Sequence, residues 1–224
     1  MFVSRRTLIV STALLPVLAL PGCAQTGGFS LVEAIRRLLS LSAQRAFASL
    51  IQENGFFDSQ VARIDLPDQF GGDRASNIVA ALLNTAAFRN RLTRQVNRAA
   101  EKGAEVAAPI VADAILKVGI PNAAAIISGG GSGATDLLKS AMGDALLSAM
   151  IPGIDNGLRL FDNGIVTEAL RAATGIDFAG LRADVTRKAS DGIYRAIARE
   201  EVAIRANPAT TNDPLLMGVF TLLK

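Results

Sequence analysis

No histidine occurs anywhere in the 224 residues, and tryptophan is absent as well. Without histidine the chain cannot assemble a Ser-His-Asp or Cys-His nucleophile or a His-containing zinc site, and it lacks the commonest general base near neutral pH. Cysteine occurs once, at Cys23, so no intramolecular disulfide can form. Stability has to come from a packed core, which about 200 residues of half-apolar composition can supply. There is one tyrosine, and runs of alternating β-branched residues are few. Alanine and leucine dominate, and the chain reads as all-α.

Charge excludes a further class. The sequence carries 23 basic and 20 acidic residues. Two of the basic ones, Arg5 and Arg6, belong to an N-terminal segment that reads as cleavable, which leaves 21 against 20. No dense basic stripe interleaved with aromatics is present. Arg89, Arg91, Arg94 and Arg98 come closest, and Glu101 and Glu105 follow directly, as on a solvated helix face with Arg98, Glu101 and Lys102 in mutual reach. Nucleic acid is not an expected partner.

Arg5 and Arg6 are followed by an apolar run from Leu8 to Leu20 and then by Leu20-Pro21-Gly22-Cys23. A transmembrane helix needs about 20 apolar residues, and this run is shorter and contains Pro16. A bacterial export signal ending in a lipobox fits better, with Cys23 as the lipidated N-terminus of the mature chain. Ala24 after the cysteine favours the periplasmic face of the outer membrane by the sorting rule of lipoproteins. Ser4-Arg5-Arg6-Thr7-Leu8-Ile9 also has the form of a twin-arginine signal, so the export route stays open. The expected organisation is a signal over 1–22, a lipidated spacer over 23–28 and one helical domain over 29–224.

Within that domain Ser30 and Glu33 form a candidate capping box, in which each side chain reaches the other's backbone. Leu31, Ile35, Leu38, Leu39, Phe47, Leu50 and Ile51 then recur at helical spacing until Asn54-Gly55. Residues 61–66 alternate but are too short and isolated to start a sheet, so they read as an extended connector. The helical period returns at Ile78, Leu82 and Leu83 and continues to Leu116, with Pro109 expected to kink or interrupt it. A short helix over 122–127, a helix from about Thr135 to Met150 closed by Pro152-Gly153, a segment interrupted near Asn163-Gly164 and a long helix through Leu181, Val185, Ala189, Ile193 and Ile197 complete the pattern. The architecture expected is a single-domain irregular helical bundle.

Carboxylate, lysine and serine chemistry remain available. Glu101 and Glu105 lie one turn apart, a spacing a wall-cleaving hydrolase could use, but acids beside arginines more often make a salt-bridged surface. Gly129, Gly131 and Ala134 imitate a dinucleotide fingerprint without its βαβ unit, and no lysine follows to make a P-loop. These glycines are better read as ending one helix in left-handed geometry, with Ser132 or Thr135 capping the next and Asp136 favoured by its dipole; an exposed anion site there is the alternative.

Three segments in order resemble the bacterial domain-of-unknown-function 4197 (DUF4197) family: Asn97-Arg98-Ala99-Ala100-Glu101; Ala123 to Gly130 with Gly133-Ala134-Thr135-Asp136; and Ser190 to Glu201 with Ile204-Arg205-Ala206-Asn207-Pro208. The resemblance covers most of the mature chain and marks Asn97, Arg98, Glu101, Gly129, Gly130, Thr135, Asp136, Glu200 and Glu201. It implies an exported, single-domain helical protein with no assigned catalytic residues, cofactor or metal. The chain departs from the family pattern at Asn212-Asp213-Pro214, where the family runs more smoothly into its last helix. The function expected is a lipid-anchored envelope module that binds a protein partner or has a structural role; a carrier of an apolar small molecule and a carboxylate hydrolase are the alternatives.

Overall fold

The computed structural model describes residues 30–66, 85–159, 171 and 178–222. Arg5, Arg6, Leu20, Gly22, Cys23 and the spacer lie outside them, as do the period at Ile78, Leu82 and Leu83 and the interruption near Asn163-Gly164. Seven α-helices and no strand occur among the described residues: α1 Leu31–Leu50, α2 Ala86–Lys117, α3 Ala123–Ser128, α4 Gly133–Met142, α5 Ala145–Leu158, α6 Phe178–Ala206 and α7 Pro214–Leu222, with a 3-10 turn at Pro208–Thr211 before α7. This is the expected all-α bundle.

The centre is α2, which packs along α5 and also meets α1 and α6. Its inward face is built from small residues, Ala99, Ala100, Gly103, Ala104 and Ala107, so neighbouring backbones approach closely. Larger side chains fill the space around this seam: Ile35, Leu38, Leu39, Leu92, Leu146, Met150, Ile154 and Ile193 are fully or almost fully buried. Each contributes about 1.5–3 kcal/mol by leaving water.

Local signals explain most element ends. Ser30 Oγ accepts from Glu33 N at 3.3 Å, which is half of the expected capping box. The other half is not made, because the Glu33 carboxylate turns to Arg37 Nε at 3.1 Å. Asn54 takes a left-handed φ of 63° just past α1, consistent with the stop expected there. Pro109 does not interrupt α2, which runs continuously through it. Its flanks are held by packing, with Ala107 and Val111 wholly buried, and this outweighs the one backbone donor that proline lacks. Pro152-Gly153 does not close a helix either. The break comes earlier, at Gly143 with φ +49°, and splits the expected helix into α4 and α5, bent by 77°. Pro152 and Gly153 then sit inside α5, where Gly153 lets that helix press onto the α2 backbone.

No single described helix is long and apolar enough to cross a membrane. The tail docks despite its break from the family pattern. Asn212 turns the chain at φ 52°, Asp213 Oδ1 accepts from the backbone of Leu215 and Leu216, and Leu216, Val219 and Phe220 are buried.

Candidate functional site

Two buried polar clusters account for most residues marked by the resemblance. The first clamps the connector. Asn97 is completely buried on α2; its Oδ1 accepts from Ile64 N at 2.8 Å, and its Nδ2 donates to Ile64 O at 2.8 Å and to Thr93 O at 2.7 Å. One amide thus imitates a strand partner for an irregular segment. One turn on, the buried Glu101 carboxylate accepts from the Phe56 backbone N–H; burial pushes its pKa up, and that hydrogen bond opposes the shift. Arg98 reaches Glu53 at 3.0 Å rather than Glu101, and Lys102 pairs with Glu105 at 2.8 Å. From the opposite side α6 holds the same connector through Lys188 Nζ to Asp65 O and Arg195 Nε to Val61 O. The connector is found where expected, as turns through residue 62 and an irregular run over 63–66.

Asn97→Ala leaves the buried Ile64 N–H and C=O without their partner, and the expected loss is about 2–3 kcal/mol. Urea unfolding checks this, together with faster amide exchange at Ile64. A loss under about 0.5 kcal/mol would show that the clamp is incidental.

The second cluster organises the glycine-rich loop. Gly129 follows α3 at φ −70°, and Gly130 and Gly131 turn the chain at φ +66° and +59° into α4. The left-handed exit is as expected, but the cap is not: Ser132 makes no capping bond, and Thr135 is itself a donor. The start of α4 is capped from another helix. Glu201, fully buried on α6, accepts from Ala134 N at 3.1 Å, Thr135 N at 2.7 Å and Thr135 Oγ1 at 2.6 Å. Arg205, one turn along, donates to Glu201 at 2.8 Å and to the carbonyls of Ile126 and Ile127 at the end of α3, each at 3.0 Å. The exposed anion site considered from the sequence is therefore filled by the protein's own carboxylate, as helix ends and dipoles favour. Asp136 stays at the surface, accepting from Ser132 Oγ at 3.4 Å. Glu200 is half-buried and lines a shallow hollow with Ser59, Val61 and Arg199. Nearby, burial pushes the Tyr194 hydroxyl up to about 12, with Asp191 adding to the shift.

Glu101 and Glu105, spaced as a hydrolase could use, converge only loosely. Glu53, Glu101 and Glu105 line a hollow of about 190 Å³, and each already has a partner: Arg98, the Phe56 backbone and Lys102. Among the described residues no group of three acidic or cysteine side chains could hold a metal.

An open apolar space lies elsewhere. Between the antiparallel α1 and α2, Ala43, Phe47, Ile51, Ala108, Ala112 and Ile115 line a groove of about 500 Å³ that is almost wholly apolar. Ile51 and Leu116 at its ends are 42% and 66% exposed, so the groove stands open to solvent. Sequence periodicity hides it, because α1 spends its strongest apolar stripe on the core and the groove wall mixes alanines with Ser40 and Gln44.

Fold and clusters together define an all-α, single-domain bundle in which Asn97, Glu101, Glu201 and Arg205 are spent on holding loops. A match spanning residues 26–221 places the chain in the family described as Protein of unknown function (DUF4197), to which it belongs. No curated protein matches it. No solved structure does either.

Proposed function

We propose that this chain is a lipid-anchored helical module of the bacterial envelope that works by binding, with the α1–α2 groove as its binding face. The groove carries the proposal: about 500 Å³ of almost entirely apolar lining is left open between α1 and α2, where the other exposed large apolar side chains, such as Val106 and Val202, line no part of it. An exposed apolar concavity of that size is characteristic of a binding site. The Leu20-Pro21-Gly22-Cys23 lipobox supports the anchor, and Ala24 supports the outer membrane. The carrier of an apolar molecule gains from the same groove, whereas a hydrolase gains nothing from carboxylates that are already paired.

Two measurements test the proposal. A clickable fatty acid fed to cells should label the wild type and not Cys23→Ser; an unlabelled wild type removes the anchor. Benzoylphenylalanine at Gln44 or Ala112, on the groove, should form discrete adducts in cells, and at Arg187, on an exposed face of α6, it should form none. Equal adducts at all three positions would remove the groove as the binding face.

A further inference from the structure

The groove does not end at its apolar walls. At Ser40 and Leu116 it adjoins a second hollow of about 430 Å³, whose lining includes Glu33, Arg36, Arg37 and Asp213. Arg37 is engaged on both sides, by Glu33 at 3.1 Å and by Asp213 at 3.0 Å. Those bonds hold its own pKa up, and the same guanidinium helps to hold the Asp213 carboxyl down against the opposing effect of burial. Arg36 is different. It makes no ion pair among the described residues, and its Nε is buried without an acceptor. Arg36 thus brings to the wall of the hollow a guanidinium with no carboxylate partner among the described residues, and such a group suits an anion.

Resting on the groove as binding face, we propose that the two hollows together take a single-chain phospholipid, with its acyl chain along α1–α2 and its phosphate on Arg36. One acyl chain fits the apolar part, which follows α1 from Ser40 to Ile51 over about 16 Å. The second hollow, about 430 Å³ beside Arg36, leaves room for a headgroup larger than a bare carboxylate. Guanidinium matches phosphate geometry with paired donors. Glu33 bonds Arg37 through one carboxylate oxygen, and its second oxygen offers the headgroup's ammonium an acceptor.

The test uses envelope membranes carrying the full chain and three photoreactive amphiphiles that share one acyl chain: a lysophosphatidylethanolamine, a monoacylglycerol and the free fatty acid. Peptide mapping should place the lysophospholipid adducts within residues 43–51 and 108–116, at about tenfold the yield of either other probe. Arg36→Gln, a change at a partly exposed position, should bring the phospholipid down to the monoacylglycerol level. Ala112→Trp, at an exposed groove position, should suppress all three. Equal labelling by phospholipid and monoacylglycerol, or labelling indifferent to Arg36→Gln, overturns the proposal. If lipid labelling is absent while benzoylphenylalanine at Ala112 captures an envelope protein, the phospholipid is overturned and the groove stands as a binding face. If neither forms, both fall.

Discussion

Glu201→Ala should lower the stability of this protein by about 3–5 kcal/mol, the range found when one member of a buried ion pair is removed. Its carboxylate is completely buried and joins three things at once: the Arg205 guanidinium, two backbone N–H groups at the start of α4 and the Thr135 hydroxyl. Removing it strands a guanidinium that is 8% exposed and uncaps a helix inside the protein. For a domain near 200 residues such a loss lowers Tm by roughly 10 °C. Glu201→Gln should lose less, because an amide oxygen can still accept from Thr135. The double variant Glu201→Leu with Arg205→Met separates two causes. If the ion pair were the whole effect, the apolar pair would restore stability, as matched replacements of buried pairs often do. Because Ala134, Thr135, Ile126 and Ile127 would still lose their backbone partners, recovery should be partial. Full recovery, or a loss below about 1 kcal/mol in Glu201→Ala, would show that the cluster does not hold the glycine-rich loop.

That cluster shows how far the sequence could be read. The helical class followed from composition and period, because an all-α chain announces itself through the spacing of Leu and Ile over many turns. Gly130 and Gly131 were legible as a left-handed exit, since only residues free of a Cβ penalty take that geometry cheaply. The capping group was not, because Glu201 lies 66 residues from Thr135 and no local rule reports a cap supplied in trans. Arg205 had a signal, the i, i+4 spacing from Glu201, but on the sequence alone that spacing also describes any solvated pair. Asn97 stood out only through the family resemblance; its partner is the backbone of Ile64, which has no side-chain signature. The groove and Arg36 left no mark, because an alanine-rich wall and an arginine beside a salt-bridged arginine look like ordinary surface.

Pro152-Gly153 misled for a different reason, and it yields the second large effect. Helix propensity alone says that glycine inside a helix is a weak point and that Gly153→Ala should stabilise by roughly 0.5–1 kcal/mol. The packing says the opposite. A Cβ at Gly153 would stand 2.2 Å from Lys102 O and 2.8 Å from Gly103 Cα, both backbone atoms of a long buried helix that cannot swing aside. The α2 and α5 axes would have to separate along the main seam of the bundle, and the expected cost is about 3 kcal/mol. Gly157→Ala should behave alike, since its Cβ would meet Ala99 Cα at 2.4 Å. Gly103→Ala is the internal control: its Cβ would meet side chains rather than backbone, Ile154 at 2.8 Å and Met150 at 3.2 Å, of which the methionine end can turn aside and the isoleucine must shift slightly. There the loss should be near 1 kcal/mol. Urea midpoints for the three variants should therefore fall into two groups, with Gly153→Ala and Gly157→Ala well below Gly103→Ala. Three equal stabilisations would mean that propensity governs this seam and that α2 and α5 do not approach as closely as their glycines allow. The predicted order would instead explain why α5 keeps two glycines in its interior: helix strength is given up there for backbone contact with α2.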